Sequence, residues 1–369
     1  MIRAKAMGGQ MKILVISLAG IGDTLLATPL IHELRRRFPD ARIDVLVMWA
    51  GARDLLEANP QITTVHFLNM LKAGLPASLT FLWSLRKERY DLSLNTYPQS
   101  KIQYRIVARI INASQRISHR YENSTLLDRW LVTQTVPQDY HRHSVENNLF
   151  LLSALGLNPA PGQHLTEIFP HPDELAWAGQ FILQHGLSRK KILGLHVGSG
   201  KTKNLELRRW PLRNYISLLR GLSEVESDLT VILFGGPEEK EDHETILREV
   251  PGPTVLLATS RNLRQAAALL QRCDLFLSVD TALMHLAATM KVPEQLVIET
   301  PTFNQTIEPY ARPYVLIPNP KVEGRNLEFY RYDGRGIRGS AQELIDCMLS
   351  VEVEQVFQEV RKALIKVQK

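Results

Sequence analysis

Three stretches place residues capable of chemistry at the ends of apolar runs. The first is SLAGIGDTLLATPL, residues 17–30, in which Asp23 directly follows Gly20 and Gly22. A dinucleotide fingerprint requires G-x-G-x-x-G. Leu25 stands at the third glycine, and the next strand ends in VMWA, without the acid that would hold a ribose hydroxyl. The turn is therefore not read as an NAD site. Its small residues let a sugar or a backbone approach closely, and a carboxylate there can take a proton from an attacking hydroxyl. Asp23 can equally cap the following helix, and the residues alone leave both roles open.

The second stretch is GLHVGSGKTKNLELRRWPLRNYISLL, which gathers Gly198, Ser199, Lys201, Lys203, Arg208 and Arg209 ahead of Pro211. Backbone donors and guanidinium groups together suit a diphosphate; a basic exposed loop is the alternative. The Walker spacing G-x-x-x-x-G-K-[ST] is missing. The third stretch is SVDTALMHLAATMKVP. Asp280 ends a strand, Thr281 and Ala282 open a helix whose N-terminus favours anions, and His285 lies one turn inside. A buried core histidine is the alternative for His285. LFGGPEE adds Gly235 and Glu238 at another strand end. The chain contains no D-x-D, so no metal–diphosphate clamp of that type is encoded, and cation duty falls to arginine, lysine and helix dipoles.

These stretches need a scaffold that brings strand ends together. MKILVI, RIDVLVM, ITTVHFL and DLSLNTY read as strands, separated by TPLIHELRRRF, ARDLLEAN and LPASLTFLWSLRKERY with helical apolar spacing. HSVENNLFLLSALGL reads as one long amphipathic helix. NPAPGQHLTEIFPHP then breaks the pattern with four prolines and no periodicity. The alternation restarts with the strands KKILGLHVG, LTVILFGG, TVLLAT, DLFLSVD and EQLVIET, interleaved with four helical segments. The α/β order predicts two doubly wound parallel sheets, with ligands at strand C-terminal ends. The expected domains are 11–165, 170–340 and a helical tail, 341–369.

The chain of 369 residues is 44% hydrophobic and 22% charged, with a net charge of +6. Residues 1–150 hold 19 Lys+Arg against 12 Asp+Glu, a net +7, and the remainder holds 25 against 26, a net −1. The basic half points to an anionic partner such as a membrane face, a phosphorylated acceptor or nucleic acid; a solvated surface is the alternative. Lys101, Arg105 and Arg109 recur every four residues on an expected helix, which would give them one face, with Arg116 and Arg120 close by in sequence. No recognised nucleic-acid motif is present. Cys273 and Cys347 have no metal-ligand spacing and cannot form a disulfide framework, which fits a reducing compartment. No apolar run approaches a membrane span, and MIRAKAMGGQ lacks a signal-peptide core. A cytoplasmic protein is the expectation.

Taken in order, GIGDTLLATPLIHELRRRFPDARIDVLV, HSVENNLFLLSALGL, RRWPLRNYISL, FGGPEE and SVDTALMHLAA resemble the heptosyltransferase family of glycosyltransferases, over nearly the whole chain from Met11. The resemblance implies a GT-B fold: two Rossmann-like domains, the first for acceptor and the second for donor, with a C-terminal helix crossing back toward the N-terminal domain. It implies inverting, metal-independent transfer from a nucleotide-diphosphate sugar, with ADP-heptose the expected donor and no further cofactor. Asp23 matches the family's general base. Gly198, Ser199, Lys201, Arg208, Arg209, Gly235, Glu238, Asp280, Thr281, Ala282 and His285 fall on its donor motifs. Gly20, Gly22, Thr24, Lys101, Arg105 and Arg120 are the acceptor-side candidates. The implied partners are the donor, an anionic glycan or lipid-linked acceptor and the inner membrane surface, without nucleic acid. Three departures stand out: Ala282 replaces the usual glycine, TPTFNQTIEP, with Phe303, replaces G-P-T-D-P, and LNTYPQS at 94–100 is less typical of the acceptor side. A nucleotide-sugar epimerase on the same fold and a catalytically silent sugar-nucleotide binder are the competing readings.

Overall fold

The computed structural model describes residues 9–160, 162, 164–200, 202–250, 252, 254–331 and 336–367. The chain divides between Phe169 and Pro170 into two compact units.

The first unit is built on six parallel strands: β1 (Lys12–Ser17), β2 (Arg42–Val47), β3 (Thr64–Phe67), β4 (Leu92–Asn95), β5 (Gln115–Arg120) and β6 (Gln134–Pro137). Their order is β3-β2-β1-β4-β5-β6. β1 is central, paired residue for residue with β2 from Lys12↔Arg42 to Ser17↔Val47 and with β4 from Ile13↔Leu92. Helices cover both faces, so Ile13 to Ile16 are all buried and the strand is a continuous apolar run. Helix Thr28–Arg37 follows the same logic. Leu30, Ile31 and Leu34 face inward, Pro29 sits in the first turn, and Arg35, Arg36 and Arg37 close the last turn where cations oppose the helix dipole. The segment expected as one long helix is α-helical over Ser144–Phe150 and tightens to a 3₁₀ turn over Leu151–Leu155. Gly156 stops it at φ 76°, a conformation glycine adopts without a steric penalty.

The second unit repeats the plan with β7 (Lys191–His196), β8 (Leu229–Leu233), β9 (Val255–Leu257), β10 (Leu275–Ser278), β11 (Glu294–Ile298) and β12 (Val315–Ile317), in the order β12-β11-β10-β7-β8-β9. Its core includes Leu193, Leu195, Leu218, Leu222, Val231, Leu277 and Leu296. Trp210 is buried at the entry to helix Leu212–Val225, edge-on to Tyr215 at 4.7 Å, and its Nε1 donates to the Val351 carbonyl at 2.9 Å.

The tail forms helices Ala341–Leu349 and Val353–Lys366. This segment was expected to pack toward the N-terminal domain. Within the second unit it joins the core. Val356, Val360, Ala363 and Leu364 enter that unit's core, and Lys191 Nζ donates to the Leu364 carbonyl at 2.9 Å. The apolar residues recur at helical spacing, so one stripe is buried, and the second unit's core provides the surface that buries it.

Candidate active site

Each sheet reverses its strand order between its first and fourth strands: between β1 and β4 in one unit, and between β7 and β10 in the other. In open α/β sheets such switch points open a crevice beyond the strand ends, where ligands bind. The turns after β1, β7 and β10 sit at these two places, and the LFGGPEE turn follows β8, the neighbour of β7.

In the first unit, β1 ends at Ser17 and helix Ile21–Leu25 starts after Gly20. The Asp23 carboxylate reaches back and accepts the Gly20 backbone N–H at 2.7 Å. A Cβ on residue 20 would lie 3.0 Å from Asp23 Oδ2, so glycine there gives the acid its room. Asp23 therefore has a capping contact and remains half-buried at the mouth. Tyr104, on helix Ile102–Ile111, has its phenol raised first by burial and then by the Asp23 charge, which puts the two groups within electrostatic reach. The loop after β4 forms the other wall. Tyr97 N–H donates to Asn148 Oδ1 at 2.8 Å, Gln99 N–H to Tyr121 Oη at 2.7 Å, and Gln99 Nε2 to the Ile16 carbonyl. Asn95, Gln99, Tyr104, Tyr121 and Asn148 were not singled out from sequence, because nothing local marks their convergence.

Two acceptor-side candidates are corrected. Thr24 is buried, shares a 3.0 Å hydrogen bond with Ser17 Oγ and donates to the Gly20 carbonyl at 3.1 Å. It holds the turn and presents no hydroxyl to a ligand. Arg105 is buried too. It forms an ion pair with Asp128 and donates to the carbonyls of Gln99 and Ser100, each at 3.2 Å. The expected common face of Lys101, Arg105 and Arg109 therefore fails. Helical spacing cannot show that the middle cation has a buried carboxylate waiting for it. Lys101 and Arg120 are exposed, and Gly22 contributes its carbonyl to Leu26 N–H at 2.9 Å.

In the second unit, Arg208 Nη1 donates to Asp280 Oδ2 at 2.7 Å and to Thr302 Oγ1 at 2.9 Å; Thr302 Oγ1 donates to the same Asp280 oxygen at 3.0 Å. Arg209 binds the Ser199 carbonyl at 2.7 Å, Asp242 at 3.1 Å and Glu239 at 3.4 Å. Thr281 caps helix Ala282–Thr289 by accepting Met284 N–H at 3.3 Å, and its hydroxyl also meets His196 Nδ1 at 3.2 Å. Ser199 Oγ closes its own loop onto the Leu205 carbonyl at 2.7 Å. Ala282 is half-buried at the first turn of that helix. Lys201 lies outside the described residues.

Glu238 is exposed, and its neighbour Glu239 takes the inner position. Glu239 Oε2 accepts Gly236 N–H at 2.8 Å. A Cβ on Gly198 would meet Glu239 Oε1 at 2.2 Å, and one on Gly235 would meet His243 Cε1 at 2.8 Å and Glu239 Cβ at 3.1 Å. Both glycine turns are thus shaped around this carboxylate, which burial pushes to a raised pKa. Adjacent glutamates in one loop gave no signal for which would turn inward.

Burial holds three nearby histidines neutral. His196 is lowered to about 3, with His243, Arg209 and Arg208 adding to the effect, and His285 is lowered to about 4, with Arg208 adding. His243 is lowered as well. Arg208 Nε, Arg209 Nε, His243 Nε2, His285 Nδ1 and Ser278 Oγ are all buried without a hydrogen-bond partner among the described residues. Unsatisfied buried polar atoms are infrequent in native proteins. Their concentration around the ends of β7, β8 and β10 marks a place that a polar, anionic ligand would complete. Phe303, where the resemblance places an aspartate, packs with Met284 and Val297, edge-on to Tyr314 at 5.9 Å. Among the described residues no group of three or more His, Cys, Asp or Glu side chains is placed to hold a metal ion, and no helix is long and apolar enough to cross a membrane.

Comparison with known proteins agrees with this picture. The family model for glycosyltransferase family 9 (heptosyltransferase) matches residues 79–328. A lipopolysaccharide heptosyltransferase 3 of Escherichia coli is 26% identical over 321 residues, covering 83% of this chain and 90% of its own. The crystal structure of a glycosyl transferase family 9 protein from Veillonella parvula aligns with a TM-score of 0.74 at 20% identity, covering 97% of this chain and 98% of that one. The E. coli ADP-heptose lps heptosyltransferase II aligns at 0.70 and 22% identity, covering 96% and 99%. Two doubly wound α/β units, with an acid at one switch point and arginines at the other, match a family of sugar-transferring enzymes along most of the chain: the protein belongs to glycosyltransferase family 9, the heptosyltransferases, and is a glycosyltransferase.

Proposed function

We propose that the protein transfers a heptose from ADP-heptose to a hydroxyl of a lipopolysaccharide-type acceptor, by single displacement with inversion and without a metal ion. The observation that carries this reading is the cluster of unsatisfied buried donors around Arg208 and Arg209, at the switch point of the second sheet. A diphosphate would satisfy those donors and meet two fixed positive charges. The names of the E. coli relatives supply the sugar, the nucleotide and the acceptor class.

In this mechanism Asp23 is the base, and Arg208 and Arg209 are the anion-binding groups. The acceptor oxygen forms a bond to the anomeric carbon as the bond from that carbon to the diphosphate oxygen breaks. The acceptor proton passes to the Asp23 carboxylate. Negative charge grows on the departing ADP, where Arg208 and Arg209 stabilise it; groups fixed before the reaction pay little reorganisation at that moment. Their guanidinium groups are already tethered to Asp280, Thr302, Ser199 and Asp242. Work on a lipopolysaccharide-type acceptor would bring the protein to the cytoplasmic face of the inner membrane as a peripheral protein.

The test is incubation with ADP-heptose and a lipid-free core oligosaccharide in excess chelator, with the product's anomeric configuration read by NMR. An inverted linkage is expected. Conversion of the sugar nucleotide without acceptor would identify an epimerase instead. A retained linkage, or activity abolished by chelator, would also overturn the proposal.

A further inference from the structure

The charge of the first unit is accompanied by an apolar feature that catalysis does not use. Helix Met70–Lys87, broken at Gly74 where φ is 77°, buries Ser78, Leu82 and Leu85 beyond the break and turns Trp83 outward, 54% exposed. Leu75, Leu79 and Trp83 recur every four residues, so they form one stripe along that helix, and Lys87 continues it. Helix Ile102–Ile111 packs beside it and exposes Ile106. The short helix Asp128–Leu131 packs on the second and exposes Trp130, at 71%, with Leu126 and Leu127 just ahead of it.

Arginines join these elements. The Arg86 guanidinium lies 5.0 Å from the Trp83 ring centre and donates to the Ile110 carbonyl at 3.0 Å. Arg109, next to Ile110, lies 5.3 Å from the Trp130 ring centre. Tryptophan and guanidinium thus alternate across three consecutive helices. The two longer helices carry Lys72, Arg86, Lys87 and Arg109 besides the buried Arg105, and no carboxylate. Of the acids close by in sequence, Asp128 is closed onto Arg105 and Glu88 onto Arg42, while Glu122, in the loop ahead of Leu126, is exposed.

We propose that this face is a docking surface for an anionic lipid bilayer. An exposed apolar patch of this kind marks an interaction site. Indole rings settle at the level of lipid headgroups, where one side is apolar and the other wet, and the alternating guanidinium groups can pair with lipid phosphates while their stems cover apolar surface. The absence of carboxylates from the two long helices matches a negative surface and would make a poor self-complementary contact. Helix Ile102–Ile111 also carries Tyr104 toward Asp23 and Arg109 toward the patch, so docking would orient the acceptor-side mouth with respect to the membrane. The proposal rests on the peripheral-membrane part of the reading above and names the surface responsible.

The experiment is flotation of the full chain with phosphatidylcholine vesicles, with and without phosphatidylglycerol, over a salt series, together with transfer to a lipid-free acceptor. Binding to the anionic vesicles at low salt is expected. W83A/W130A should weaken it about tenfold or more, and Lys87→Gln and Arg129→Gln, the latter at an exposed cation on the short helix beside Trp130, about fivefold each. All these variants should transfer sugar to the lipid-free acceptor at the unaltered rate. The surface is refuted if the unaltered chain transfers sugar but ignores anionic vesicles. It is equally refuted if the variants bind as well as the unaltered chain, or if W83A/W130A only converts a dimer to a monomer. Loss of transfer by the unaltered chain itself would count against the proposed function, which separates the two failures. The charge variants keep the test decisive if the tryptophan pair is needed for folding.

Discussion

Replacing Asp23 by asparagine separates the observed capping contact from the proposed base role. The carboxylate accepts the Gly20 N–H at 2.7 Å, and an asparagine carbonyl oxygen can accept the same hydrogen bond. Asparagine and aspartate cap helices about equally well, so stability should change by less than about 0.5 kcal/mol. Asparagine cannot take a proton from the acceptor. General-base catalysis is worth about 10²–10⁴-fold, or about 2.7–5.4 kcal/mol of barrier, and transfer should fall by that factor. The groups assigned to the diphosphate, Arg208 and Arg209, lie in the second unit, so ADP affinity should not move. Asp23→Ala removes the acceptor as well. Gly20 is exposed, so water can replace the lost partner, and the added cost should stay near 1 kcal/mol. For a domain of this size that lowers the melting temperature by about 2–4 °C. The assay is turnover with saturating donor and acceptor, ADP calorimetry and thermal melting on both variants. Near-normal turnover in Asp23→Asn, with destabilisation confined to Asp23→Ala, would refute the base assignment and leave Asp23 as a cap.

Arg208→Ala should weaken ADP binding measured in chelator by about 10–100-fold, the loss of a charge-assisted contact; an unchanged dissociation constant would remove Arg208 from the donor site. Gly198→Ala puts a Cβ 2.2 Å from Glu239 Oε1 and should cost about 1–3 kcal/mol of stability. Adding Glu239→Ala should recover part of that loss in denaturant titration, and no recovery would mean the clash is relieved elsewhere. His119, His196 and His285 are held below the ordinary histidine pKa by burial, to about 4, 3 and 4. The unfolded chain therefore binds more protons than the folded one below about pH 6.5. Stability should be fully present above that pH and should fall as pH drops toward 4. Melting temperatures from pH 7.5 to 4.5 test the sign, and His285→Gln should flatten the slope.

Much of the fold was legible because it follows from local periodicity. Buried strands such as KILVIS and helices such as TPLIHELRRR announce themselves through apolar spacing, and their alternation specifies a parallel α/β arrangement. Three strands did not. QRISHR and QTVP each carry polar residues along one side, and VLI is three residues long, so none offers the apolar run of a central strand. β6 and β12 lie at sheet edges and β5 beside one, where flanking contacts rather than intrinsic pattern make the strand.

The sequence by itself determined where side chains capable of chemistry stand relative to the strands. Gly20 and Asp23, and Asp280 and Thr281, lie at strand ends in one dimension before any fold is known, and Arg208 and Arg209 close the basic loop that follows a third strand. Tertiary structure decided which of their neighbours belong with them. Arg105 is no surface cation because Asp128, 23 residues on, is buried against it. Glu239 rather than Glu238 is the inner carboxylate because two glycine turns leave space for one side chain. Thr281 meets His196 across 85 residues because the strand order sets β10 beside β7. Periodicity and turn chemistry are local properties, encoded within a few residues. Charge pairing and desolvation depend on which distant groups share a low-dielectric space, and only the folded chain establishes that.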